Sequence, residues 1–220
     1  MSSQRSAVVL GATGLVSRAL VSFLLREPSI LSVVAVVRRG GGLAEHPKLR
    51  VAVADFEQLE RHAEHFRVDQ VLCALGTTMR QAGTRERFRR VDYDYPVIAG
   101  HVARAQGATH YLLVSALGAN PGSRVFYNQV KGETEAAISR LGFPSVTIAR
   151  PSLLVGPRTE VRVGERIGHV LGWLLPKGLR PIAADDVAAA LTLAARESRH
   201  GVRLLTPGEM RGAANQLSNS

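Results

Sequence analysis

Val8-Val9-Leu10-Gly11-Ala12-Thr13-Gly14-Leu15-Val16-Ser17 is the stretch from which the rest of this chain is read. It follows a short apolar run and opens into Arg18-Ala19-Leu20-Val21-Ser22-Phe23-Leu24-Leu25, whose apolar spacing suits the buried face of a helix. It therefore reads as strand, tight glycine turn, helix. Gly11 permits the sharp turn. Gly14 lets the main chain approach a pyrophosphate, whose charge then faces the positive helix end and the unpaired N–H groups around Thr13, Leu15 and Val16. Ser17 stands where a third glycine would allow the closest helix–strand packing. Such a turn cradles phosphate in some chains and simply joins strand to helix in others, so the remaining sequence must decide.

The first helix is expected to end near Arg26, before Pro28. Leu31 to Val37 follows as an almost continuous apolar run, the mark of a parallel strand buried on both faces. At its end, where a dinucleotide-binding unit usually places an acidic residue for the ribose hydroxyls, stand Arg38 and Arg39. A guanidinium fork complements the extra 2′-phosphate of NADP, whereas NAD offers only hydroxyls there. After the loop Gly40-Gly41-Gly42, Leu49 to Ala54 alternates into a third strand ending at Asp55-Phe56. Asp55 can accept from an adenine amino group or cap the helix expected from Glu57 to about Phe66, and the sequence leaves both open. His62 and His65 lie a turn apart, with no Cys, Asp or Glu pattern completing a metal site, so they read as a solvated face and no metal is expected. Val68 to Leu75 forms a fourth strand, and Gly76, ahead of Thr77, lets the main chain pass close to the ribose of a bound dinucleotide.

A helical stretch from roughly Arg85 to Gln106 stops at Gly107, and His110 to Ser115 makes a fifth strand. Strands alternating with helices in this way predict an α/β fold, a doubly wound parallel sheet with helices on both faces and ligands at the carboxyl ends of the strands. Gly11 to Ser17, Arg38-Arg39, Asp55, Gly76 and Ser115 all fall at such ends.

Tyr127 and Lys131, four residues apart in the next helical segment, share one helical face. A phenol ordinarily titrates at about 10, but a fixed ammonium together with an oxidised nicotinamide favours its ionised form. Tyr127 can then act as general acid–base, Lys131 can hold the ribose, and Ser115, twelve residues before the tyrosine, can donate to a substrate oxygen as charge develops on it.

With 220 residues and no linker or repeat, a single domain, 1–220, is expected. Cys73, the only cysteine, lies in an apolar run and reads as a small core residue; it cannot form an internal disulfide, which agrees with a reducing, cytoplasmic address. The N-terminal residues lack a signal-peptide pattern, and the apolar runs are too short to span a membrane. The net charge of +10 and the cluster Arg80, Arg85, Arg87, Arg89, Arg90 raise the question of nucleic acid. Only three of 28 basic residues are lysines, the arginines are spread throughout, and no nucleic-acid module accompanies them, so no nucleic-acid partner is expected.

Gly11-Ala-Thr-Gly14, Val37-Arg38-Arg39, Asp55-Phe56, Leu75-Gly76-Thr77-Thr78, Ser115, Tyr127-x-x-x-Lys131-Gly-Glu and Arg150-Pro151 together resemble the atypical short-chain dehydrogenase/reductases, nearest the Tat-interacting-protein type. The resemblance runs in order from about Ala7 to Pro151 and is looser afterwards. It implies a Rossmann-type fold that binds NADP(H), with Ser115, Tyr127 and Lys131 as a reductase triad acting on a small carbonyl or alcohol. A cofactor-responsive binding protein with little turnover, one that has a protein partner, is the alternative. The chain is too short for the large substrate region of sugar-nucleotide epimerases in the wider superfamily. Beyond the sixth strand, Ser145 to Ala149, the segment carrying Pro151 and Leu153 is expected to cross the nicotinamide end. A substrate-side segment follows, about 152–182, whose Ile167, Val170, Leu171, Trp173, Leu174 and Leu175 either line an apolar cavity or pack on the core. Asp185 and Asp186 open a further helix, Val202 to Leu205 makes a last strand, and a mobile polar tail is expected over about 211–220.

Overall fold

The computed structural model of the protein describes residues 4–155 and 180–218. Seven parallel strands make one sheet. β1 (Arg5–Leu10) is flanked on one side by β2 (Ile30–Val37) and then β3 (Leu49–Val53). On its other side lie, in order, β4 (Gln70–Cys73), β5 (His110–Val114), β6 (Ser145–Ala149) and the last of the described strands, Gly201–Leu205. The strands are apolar because they are covered on both faces, and alternate residues supply the two cores. Ala7, Val9, Ala35, Leu72 and Leu112 pack towards α1 (Leu15–Arg26) and a long helix at Ala184–Glu197. Val8, Leu10, Val36, Val71, Tyr111 and Leu113 pack towards the helix at Tyr95–Ala105. Between β1 and β4 the strand order reverses direction, which opens a crevice at the carboxyl ends of both.

The doubly wound α/β expectation holds, and three local expectations do not. The helix expected from Glu57 is a 3₁₀ segment, Phe56–Phe66, broken at Gln58 and His62. Its buried anchors Phe56 and Leu59 stand three apart, the spacing at which a 3₁₀ helix stacks its side chains. The long helix expected over Arg85 to Gln106 comes in pieces: after α2 (Met79–Ala82) follow α3 (Arg85–Arg89), a π-helical turn (Arg90–Asp94) and α4 (Tyr95–Ala105). Pro96 has no N–H to give the Asp92 carbonyl, and the Thr134 hydroxyl donates to that oxygen instead (2.8 Å). The tail is the third correction. After α5 (Phe126–Ser139), the short parallel pair β7 (Leu154–Val155) and β8 (Ile182–Ala183), α6 (Ala184–Glu197) and β9 (Gly201–Leu205), a Thr206–Glu209 capping box starts α7 (Pro207–Met210). α8 (Ala213–Ser218) follows and packs on α6, with Met210 and Ala213 buried and Leu217 against the same core, so 211–218 is not a loose polar end.

The residues expected to build the substrate side from Arg158 onward, including Ile167, Val170, Leu171, Trp173, Leu174 and Leu175, lie outside the described residues, apart from Arg180. Among the described residues no helix is long and apolar enough to cross a membrane.

Candidate functional site

The glycine turn is closed by the Gly14 N–H donating to the Gly11 carbonyl (2.8 Å). Gly11 holds φ +80°, and a Cβ there would come within 3.0 Å of the Ala74 carbonyl oxygen, so both conformation and space demand glycine. α1 begins directly after the turn, with no side-chain cap and no acidic residue in its first turn. Its first amides and the positive end of its dipole are left for an anion. Ser17 is accommodated in full: it is completely buried, and its hydroxyl has no hydrogen-bond partner.

Two adjoining cavities start from this turn and share Thr13, Gly14, Ala74, Leu75, Gly76, Thr77 and Gln81. The first, about 590 Å³, extends past Gly11 to Val37, Arg38, Phe56 and Glu57, with Arg87, Arg90 and Tyr95 on its far wall. The second, about 290 Å³, extends past Leu15 and Val16 to Ser115, Tyr127, Lys131 and Leu154. One continuous groove thus brings together Gly11, Thr13, Gly14, Leu15, Val16, Arg38, Phe56, Leu75, Gly76, Thr77, Ser115, Tyr127 and Lys131. Four of the expected residues do not line it. Arg39 is exposed beside it. Asp55 serves as a cap, accepting from the Glu57 N–H (3.0 Å) and from the Gln58 amide (3.1 Å). Pro151 is buried, and its carbonyl accepts the Leu117 N–H (2.8 Å), tying down the loop after Ser115. Leu153 points outward, and its neighbour Leu154 takes the lining position.

Sequence reasoning missed Asp92. The π-helical turn directs its carboxylate inward to pair with the Lys131 ammonium (2.8 Å) and to accept the Thr77 N–H (2.9 Å). Both charged side chains are buried, 7% and 0% exposed. Burial pulls the Lys131 ammonium towards the neutral form, but Asp92 and then Tyr127 outweigh it, and its pKa lies above the ordinary value. The lysine therefore stays charged while it reaches the groove. Ser115 is buried, and its hydroxyl has no partner within the protein. The Tyr127 ring packs on Phe88, with centroids 5.6 Å apart. Gly132 completes the local design, because a Cβ there would meet the Asn120–Pro121 backbone at 2.3 Å. The loop after Ser115 can lie against α5 only because that residue is glycine.

At the other end of the groove Glu57 accepts from both Arg90 and the Tyr95 hydroxyl. Arg90, followed by Tyr95, holds the Glu57 carboxyl below its ordinary range. Burial first, and Glu57 second, push the Tyr95 phenol up to about 12. This network fixes the wall opposite Arg38.

An uncapped helix start behind a glycine turn and a buried ammonium are the donor set that a dinucleotide's pyrophosphate and ribose require, so the residues fit such a cofactor. The model of the NAD(P)H-binding family matches residues 11–198. This chain belongs to that family. The NAD(P)H-binding protein is also 35% identical over 175 residues to Protein HTATIP2 of Rattus norvegicus, covering 78% of this chain and 72% of the relative. With the mitochondrial protein FMP52 of Candida albicans it shares 33% over 195 residues, covering 83% and 84%. The resemblance to the Tat-interacting-protein type is thereby borne out. The expected cytoplasmic address is corrected: several relatives carry mitochondrial in their names, which points away from the cytosol. Among solved structures, the Bordetella bronchiseptica enzyme WbmH in complex with NAD+ superposes with a TM-score of 0.72 at 16% identity, covering 93% of this chain and 76% of that one. At that identity the likeness speaks for the Rossmann-type fold alone.

Proposed function

We propose that this protein is an NADP-dependent oxidoreductase that acts on a small carbonyl or alcohol, with Tyr127 as its acid–base. The observation that carries the reading is that Ser115, Tyr127 and Lys131 line one cavity continuous with the glycine turn, with the serine hydroxyl unpaired. When bound, the nicotinamide supplies or accepts the hydride. Ser115 Oγ donates a hydrogen bond to the substrate oxygen and stabilises the charge that develops there during reduction. The Tyr127 hydroxyl gives its proton to that oxygen, and in the oxidising direction takes one back. Lys131 offsets the phenolate charge and holds the ribose, while Asp92 fixes the position of the ammonium. Gly11, Thr13, Gly14, Leu15 and Val16 take the pyrophosphate, with Leu75, Gly76 and Thr77 along the opposite side of the groove.

The preference for NADP over NAD rests on Arg38, which lines the 590 Å³ cavity where the 2′-phosphate would lie, with Arg39 adding charge from outside. The test is turnover of a panel of aldehydes and ketones with NADPH. The wild type is expected to reduce at least one, and Tyr127→Phe to lose at least about a hundredfold in kcat. Full activity of that variant overturns the mechanism. NADPH binding without turnover of any member replaces it with a cofactor-responsive binding protein. Tighter binding of NADPH than NADH, with the gap narrowed by Arg38→Ala and Arg39→Ala together, tests the cofactor preference; equal binding by the wild type refutes it.

A further inference from the structure

Away from the groove, at the far end of the 3₁₀ segment Phe56–Phe66, lies a cluster that the proposed reaction does not use. We propose that His62, Glu64 and His65 form a binding site for a borderline divalent transition metal of the zinc, nickel or copper kind. In sequence the two histidines read as a solvated face, because no Cys, Asp or Glu pattern completes a metal site beside them; on an α-helix Glu64 would point away from both. The segment is not an α-helix. At a 3₁₀ spacing of three residues side chains eclipse, and the imidazoles of His62 and His65 stack with centroids 5.9 Å apart and planes 14° from parallel. The backbone break at His62 (φ −116°, ψ 27°) turns the chain so that Glu64 closes the third side.

One ligand atom from each residue lies within 4.8 Å of the other two. Metal–ligand bonds of about 2.0–2.2 Å require ligand atoms roughly 3.4 Å apart in a tetrahedron, so the cluster must tighten by up to about 1.4 Å. Glu64 is exposed and can swing to do so. Neither nitrogen of His65 is committed elsewhere: Nδ1 is buried with no partner, and Nε2 stands 3.5 Å from Glu64 Oε1. Two imidazoles and one carboxylate, with coordination positions left open to water, favour zinc, nickel or copper over magnesium or calcium, which prefer oxygen shells. The nearby positive charge of Arg50 opposes any cation here and limits affinity.

The test is titration calorimetry of untagged protein with zinc chloride and with nickel chloride, alongside thermal melts. One ion per chain is expected. Zinc should raise the melting temperature, since a ligand bound only by the folded state stabilises it. His62→Ala and Glu64→Gln change residues outside the core; each should weaken binding by at least about tenfold with the metal-free melting temperature unchanged. Arg50→Ala should tighten it. Binding unaltered in His62→Ala would assign the metal to other histidines and overturn the proposal. So would the absence of both heat and melting shift at millimolar zinc.

Discussion

The two edges of the sheet treat their buried polar groups differently. At the amino-terminal edge of the strands most polar side-chain groups pair with one another, although Gln70 Oε1 is buried without a partner. His110 engages Thr147 Oγ1 (2.9 Å) and Ser198 Oγ (3.2 Å), and Gln70 donates to Ser198 Oγ (3.0 Å) and to the Ala195 carbonyl (2.8 Å). At the carboxyl edge the hydroxyls of Ser17 and Ser115 are buried without partners, and the first amides of α1 are uncapped. Leaving a buried donor unpaired costs about 1–3 kcal/mol, so both hydroxyls are kept at the expense of stability, and of the two Ser115 lines the groove. Lys131 with Asp92 departs from this, a buried charge pair beside the unpaired Ser115 hydroxyl.

That exception gives the largest expected effect. Lys131→Met should destabilise the protein by about 3–5 kcal/mol, because it strands the buried Asp92 carboxylate. Lys131→Met combined with Asp92→Leu should recover most of that loss. Urea denaturation of the two variants measures this, and a single variant as stable as the wild type would mean that the pair is not structural.

Next in size is a pH effect at the opposite edge. Burial first, and Arg5 second, hold the His110 imidazole down to about 4. A histidine in the unfolded chain titrates at about 6.5, so below that pH the unfolded state takes up a proton that the folded state refuses. The stabilisation from neutral His110 is whole above about pH 6.5 and fades as pH falls towards about 4; roughly 2 kcal/mol is gone at pH 5. Denaturation at pH 7 and pH 5 should show this loss, and His110→Gln should abolish most of the difference.

Smaller again are two hydroxyl deletions of opposite sign. Thr147→Val removes the partner of His110 Nε2 and should cost about 1–2 kcal/mol. Ser115→Ala removes an unpaired hydroxyl and should be neutral or stabilising by up to about 1 kcal/mol without cofactor, while lowering turnover. Losses of equal size from both substitutions would erase the contrast between the edges.

What the sequence disclosed follows the same division. Elements set by local periodicity were legible: the apolar strands, the turn at Gly11 and Gly14, the helix bearing Tyr127 and Lys131, and hence the edge where the groove lies. Features set by distant partners were not. Asp92 meets Thr77 and Lys131, fifteen and 39 residues away, and nothing beside it in the chain except Pro96 marks the π-helical turn that directs it inward. Asp55 was ambiguous because a cap and an adenine acceptor ask for the same carboxylate at the same strand end. Arg38 and Arg39 were equivalent in sequence, and only the fold turns one of them into the groove. The helix over Ala213–Ser218 escaped notice because its apolar contacts, Ala213 and Leu217, are sparse among polar neighbours.

The strand order carries a further consequence for biosynthesis. β1 lies in the interior of the sheet, and the next two strands in the sequence extend it in one direction. β4, β5, β6 and β9 then extend it in the other, each pairing with the edge its predecessor left open. Among the described strands of this sheet, none has to be inserted between two that are already paired. Once β3 is in place, β4, β5, β6 and β9 add in turn to the same growing side, while β7 and β8 pair apart from it.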